Sequence, residues 1–92
     1  MVFRQAQQFC YDLENALEYY LEIDQDLASG LLDELENMET HLAIFPEGAP
    51  LTAFPPIRKY LLKRFPYRVR YSFEDNEIIL LTLENMSQNK HL

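Results

Sequence analysis

Six basic side chains fall between positions 57 and 73, namely Arg58, Lys59, Lys63, Arg64, Arg68 and Arg70, and no acidic residue lies among them. Guanidinium forks and ammonium groups gathered in this way are the chemistry that holds phosphates or carboxylates. Their setting sharpens the contrast. Residues 1–56 hold one basic and eleven acidic side chains, a charge of −10, and residues 74–92 add −3 to the +6 of the basic stretch, for a net charge of −7. An acidic protein can still bind an anion through a local basic cluster, because salt confines each field to about 8–10 Å. The competing use of such a cluster is as the solvated face of an exposed sheet, where charges keep strand edges from aggregating.

Other chemistry is sparse. There is no metal-ligand spacing and no phosphate-cradling glycine loop, since the chain has only two glycines. No metal or cofactor is therefore expected. His41 sits at a solvated position of a helical stretch, in line with Glu34 and Asn37, and His91 is the penultimate residue. Cys10 has no basic neighbour to stabilise a thiolate and reads as a small buried hydrophobe near the start of the first helix. The carboxylates sit at helical surface spacing, and none is singled out as one of a catalytic pair. No catalytic residue is assigned.

The basic residues must be carried by strands. From Tyr67 to Phe73 the chain alternates, with Tyr67, Val69, Tyr71 and Phe73 on one side and Arg68, Arg70 and Ser72 on the other. Glu74-Asp75-Asn76-Glu77 has the composition of a hairpin turn, and Ile78 to Leu83 is apolar enough for a central strand. Strict alternation along that strand puts Ile78 and Leu80 opposite Ile79, Leu81 and Leu83. If helices cover one set, the other forms an exposed apolar strip, and such strips mark interaction sites. Ile57 to Leu62 reads as the preceding strand, with a bend at Phe65-Pro66.

Ahead of these strands, Met1 to Gln7 contains a short, weakly patterned strand. From Gln8 to about Ile23 the spacing becomes helical, with Phe9, Leu13, Ala16, Leu17 and Tyr20 on one stripe. Asp24 is a candidate N-cap for a second helix whose Leu27, Leu31, Leu35, Met38, Leu42 and Phe45 continue the pattern until Pro46. The loop from Pro46 to Pro56 is a connector. So short a link between two amphipathic helices predicts an antiparallel helical hairpin, which must bury its apolar stripe on the sheet face carrying Val69, Tyr71 and Phe73.

Ninety-two residues make one domain spanning 1–92, with a modest core and little room for a deep catalytic cleft. One cysteine excludes an internal disulfide framework, and no apolar run is long enough to span a bilayer. A cytoplasmic binding module that does not engage membranes is the expectation.

Taken in order, Asp12-Leu13-Glu14-Asn15-Ala16-Leu17-Glu18-Tyr19-Tyr20, Leu32-Asp33-Glu34-Leu35-Glu36, Phe45-Pro46, Ile57-Arg58 and Arg64-Phe65-Pro66-Tyr67-Arg68-Val69-Arg70-Tyr71 resemble the RelE/ParE toxins of bacterial type II toxin–antitoxin, or plasmid stabilisation, systems. The resemblance implies an α+β fold: a short N-terminal strand and an antiparallel helical hairpin packed on one face of a small antiparallel β-sheet. It also implies a cognate antitoxin as partner. Beyond that the family divides. Its ParE branch poisons DNA gyrase by binding, whereas RelE-like members are ribosome-dependent messenger-RNA endonucleases with a histidine or arginine on or after the last strand.

Here Asn85 and Gln88 stand at those positions, and an amide cannot act as a general acid or base near neutral pH. The ParE-like reading, a toxin that acts by protein–protein interaction, is thus preferred. The nuclease acting on the ribosome and messenger RNA, and a degenerate non-toxic relative, are the alternatives. Target- or antitoxin-binding candidates are Arg58, Arg64, Arg68, Arg70, Ile78, Leu80 and Gln88, and self-association into a homodimer through the apolar strip is the competing outcome.

Overall fold

The computed structural model describes residues 1–89. The element order is β1 (Val2–Gln5), α1 (Gln7–Leu21), α2 (Gln25–Ile44), β2 (Ile57–Leu61), β3 (Tyr67–Glu74) and β4 (Glu77–Asn85), followed by a 3-10 turn over Met86–Asn89. Asp24 caps α2 as expected, its carboxylate accepting the Asp26 amide proton at 2.9 Å. Asp75 and Asn76 both take positive φ, 53° and 60°, the left-handed pair that a two-residue hairpin needs and that Asp and Asn tolerate.

The four strands form one sheet in the order β1-β4-β3-β2. The β2–β3 and β3–β4 pairs are antiparallel, whereas β1 runs parallel to β4. The sheet is therefore mixed. Direction of pairing was not readable from periodicity, because β1 and β4 are separated by nearly the whole chain and no turn constrains them.

Both helices contribute to a core on one sheet face. Phe9, Ala16 and Tyr20 of α1 and Leu31, Leu35, Met38 and Leu42 of α2 are buried together with Val69 and Tyr71, while Leu13, Leu17 and Phe73 pack partly against them. Removing these groups from water is the main force holding the hairpin on the sheet. Tyr20, on the apolar stripe of α1, is buried, whereas Tyr19 is exposed. Cys10 is a correction: it is exposed, with its thiol 3.3 Å from Oε1 of Gln5. It follows Phe9 by a single residue, about 100° round the helix, so burying Phe9 turns Cys10 outward.

The larger correction concerns Ile78 and Leu80. They are 0% and 1% exposed, inside the core, and so cannot form a surface strip. The cause is register: Ile78 and Leu80 pair with Phe73 and Tyr71 on the helix-facing side of β3, and a β-bulge then brings Leu83 to the same side. Arg70 pairs with Thr82 but Tyr71 pairs with Leu80, which leaves Leu81 as an extra residue. Past this point the phase of β4 is reversed, and Ile78, Leu80 and Leu83 all face the helices.

The connector after α2 is pinned by two polar groups. The Tyr71 hydroxyl donates to the Pro46 carbonyl at 2.9 Å. Arg58 donates through Nη1 to the carbonyls of Ala49 at 2.7 Å and Glu47 at 3.2 Å. Arg58→Met, which keeps the aliphatic stem, is expected to lose about 1–3 kcal/mol of stability. A denaturant titration that returns wild-type stability would show that water replaces the guanidinium without penalty.

Candidate functional site

Three rungs of the sheet face turned away from the helices carry its basic residues, with Glu74 and Glu77 forming a fourth, acidic rung beyond them. Leu61 of β2, Arg68 of β3 and Glu84 of β4 form the first, Lys59, Arg70 and Thr82 the second, and Ile57, Ser72 and Ile79, continued by Arg4 of β1, the third. Alternation on β3 thus does what its pattern predicts, and pairing to β2 sets Lys59 beside Arg70.

Glu84 is the residue that sequence reasoning missed. Its Oε1 accepts from Nε of Arg68 at 2.7 Å, and its Oε2 accepts from Nε of Arg70 at 2.9 Å and from the Thr82 hydroxyl at 3.0 Å. One carboxylate therefore ties two arginines that sit two residues apart. Lys59, Arg68 and Arg70 against one carboxylate leave this part of the face positive. The side chains of Arg68, Arg70 and Glu84 are 24%, 29% and 33% exposed, enough for a partner to touch them and little enough for their positions to be held.

Burial by itself would raise the Glu84 pKa. The hydrogen bonds from Arg68 and Thr82 and the charges of Arg70 and Arg68 outweigh it, so the carboxyl lies below its ordinary value of 4.5. A folded-state pKa lowered in this way contributes stability that is present above the unfolded value and is lost as pH falls through the folded one. At neutral pH, wild type is expected to exceed Glu84→Gln by about 0.5–1 kcal/mol, a small figure because water screens a partly exposed cluster. That advantage should fade as pH drops below about 4.5. Urea titrations of both proteins at pH 7 and pH 3.5 check this, and a difference that persists unchanged in acid would contradict it.

The remaining candidates are dispersed. Arg58 pairs with Tyr71 on the helix side and is engaged with the connector. Arg64 lies in the bend between β2 and β3, its guanidinium 5.4 Å from the Phe65 ring centroid and against Gly30 of α2. Glu34 of α2 accepts the backbone amides of Lys63 and Arg64, which anchors this bend to the helices. Ile78 and Leu80 belong to the core. The backbone of Gln88 is in the 3-10 turn, but its side chain, like Lys90 and His91, lies outside the described residues.

Of the candidates whose side chains are described, only Arg68 and Arg70 are thus brought together on the open face. Asn85 is turned to the helix side, opposite Tyr67. Its Oδ1 accepts from the amide and hydroxyl of Ser87 at 2.9 and 2.7 Å.

Exposed apolar surface does exist at the outer side of β2, where the connector bridges to the strand through Leu51 and Arg58. Leu61 is 56% exposed, and Leu51, Phe54, Ile44 and Phe45 are also open to solvent. Next to Leu61 an open groove of about 380 Å³ is lined by His41, Pro50, Lys59, Tyr60 and Lys63 among others. Among the described residues, no group of three or more histidine, cysteine or carboxylate side chains is placed to hold a metal. Nor is any described helix long and apolar enough to cross a membrane.

No family model matches the sequence, and no curated protein matches it. Among solved structures the chain superposes on one described as "Chromosomal ParDE TA system from P. aeruginosa", with a TM-score of 0.76 over 92% of this chain and 95% of that one, at 18% identity. At that identity the likeness is one of architecture, and this chain has the α+β fold, two helices on a four-stranded mixed sheet, of that ParDE structure.

Proposed function

We propose that this protein is the toxin component of a type II toxin–antitoxin system, that it acts in the ParE manner by binding a macromolecular target, and that a cognate antitoxin neutralises it in the cytoplasm. The observation that carries the reading is the whole-chain likeness to a ParDE toxin–antitoxin structure. The open sheet face adds to it. Lys59, Arg68 and Arg70 form a held, net-positive surface suited to an acidic partner, and DNA gyrase is the target class that the ParE branch implies.

In this reading the antitoxin seat is the outer side of β2, around Leu61 and the connector at Leu51. There Leu61 and Leu51 offer apolar surface beside Lys59 and Lys63, which favours a segment that is apolar and acidic at once. Such a segment can be disordered alone and order on contact.

One feature favours the nuclease reading. Glu84, ionised between two guanidiniums on an open face, pairs a potential base with phosphate-binding groups. Against it, both Glu84 oxygens are already engaged, and Asn85 offers no titratable group.

The test is induced expression in bacteria with and without the product of the neighbouring open reading frame. Growth arrest relieved by that product, with plasmid supercoiling failing and messenger RNA intact, is the expected result. Messenger-RNA cleavage in a translating extract would transfer the assignment to the nuclease. Unimpaired growth together with no binding to the neighbouring product would overturn both.

A further inference from the structure

On the helix side, remote from the arginine face, an open groove of about 580 Å³ runs between α1 and the far end of the β3–β4 hairpin. Asp12, Asn15, Ala16 and Tyr19 supply one wall from the i, i+3, i+4 and i+7 positions of a single helical stripe. The other wall is Leu83 and the cross-strand pair Tyr67 and Asn85, with Ser87 closing the end. The bulge at Leu81 matters here as well. It turns the Leu83 amide toward α1, where Oδ2 of Asp12 accepts it at 3.0 Å while Oδ1 accepts from Gln8 at 2.8 Å. Asp12 is thereby fixed at the groove wall, and each of its oxygens keeps a further lone pair.

We infer that this groove is a binding site for a guanidinium group. The inference stands apart from the toxin reading, which uses the opposite face. Among the described residues Asp12 is the one charged residue that lines the groove, which there carries a negative charge and no positive one. Anionic ligands are excluded by that charge. The Tyr67 phenol adds no charge, since burial pushes it up to about 12 and keeps it neutral. Tyr19 lines the groove and is 58% exposed, and its ring meets that of Tyr20 in a T-shaped contact, 5.0 Å between ring centroids, so much of an aromatic surface is open to solvent at the groove.

A planar, weakly hydrated cation can stack on that ring and direct its forked donors at Asp12, with the Asn15 carbonyl and Ser87 hydroxyl as further acceptors. An ammonium group has neither the plane nor the fork. The guanidinium could be an arginine side chain of a protein partner or a free small molecule.

The test is a titration of the isotopically labelled full chain, followed by amide chemical shifts, with three probes: agmatine, the peptide Gly-Ser-Arg-Ser-Gly, and the same peptide carrying citrulline in place of arginine. Saturable shifts at residues 12–19 and 83–87 from agmatine and the arginine peptide, but not from the isosteric neutral citrulline peptide, are the expected result. Peptide binding ~10-fold tighter than agmatine would assign the site to a protein arginine, and equal or weaker peptide binding would assign it to a small molecule.

Asp12→Asn keeps an oxygen for the Leu83 amide and removes the charge, and it should weaken binding about 10-fold. Tyr19→Leu, at an exposed position, should weaken it about 3-fold and serves if the first variant does not fold. Equal shifts from the citrulline peptide, no saturable shift from either guanidinium probe, or full affinity in the folded variants would overturn the inference.

Discussion

Truncation of Leu80 to alanine is expected to cost ~2–5 kcal/mol, the loss typical of a leucine removed from a packed core. Leu80 is 1% exposed and packs in one cluster with Tyr71, Ile78 and the core side chains of both helices. A domain of this size has about 5–15 kcal/mol of stability in all, so the variant should be severely weakened. In thermal terms a loss of ~3 kcal/mol corresponds to a fall in Tm of about 12–24 °C. The measurement separates two pictures of β4. Were Leu80 on an exposed strip, with Ile79, Leu81 and Leu83 under the helices instead, the truncation would cost under ~0.5 kcal/mol and would weaken partner binding. A surface-sized loss would mean that the pairing that sets Leu80 opposite Tyr71 on the helix side is wrong.

The second large effect is on binding. Replacing Arg68 and Arg70 by glutamine would remove the positive face but strand Glu84 as an unpaired, partly buried carboxylate, so a loss of function could be mistaken for a loss of fold. The informative protein is Arg68→Gln, Arg70→Gln and Glu84→Gln together, which deletes the cluster as a unit.

Its stability should lie within about 1 kcal/mol of wild type, because the ion pairs are partly solvated. Its affinity for an acidic partner should fall about 100-fold, as expected for two charge-assisted contacts worth ~1.5 kcal/mol each. Calorimetric titration against the antitoxin or the target reads the affinity, and a denaturant curve reads the fold. A triple variant that folds and binds at full strength would reduce the arginine face to a solvated surface. One that fails to fold would make the Arg68–Glu84–Arg70 cluster a structural element.

Much of the architecture was legible because periodicity is a local signal. The stripe of Phe9, Ala16 and Tyr20, the Asp24 cap and the run of Leu31, Leu35, Met38 and Leu42 each lie within one element, and the hairpin turn at Asp75-Asn76 follows from which residues accept positive φ. The side of β3 on which Arg68 and Arg70 stand is also local, since it follows from strict alternation with buried neighbours. Direction of the β1–β4 pairing is not, because it joins the two ends of the chain.

What only the tertiary structure decided turns on one residue. In the run Ile78-Ile79-Leu80-Leu81-Thr82-Leu83 five apolar side chains can serve on either face, so the sequence does not mark where its phase must slip. Without the slip at Leu81, Thr82 and Glu84 would point under the helices, and burying that carboxylate without a partner would be very unfavourable. With it, Leu83 enters the core, Glu84 meets Arg68 and Arg70, and the Leu83 amide turns to Asp12. The basic residues were visible in the sequence, whereas the carboxylate that organises them and the groove on the other face were not. Packing across the whole domain chose the bulge, because it is the phase that buries leucine and leaves glutamate partnered.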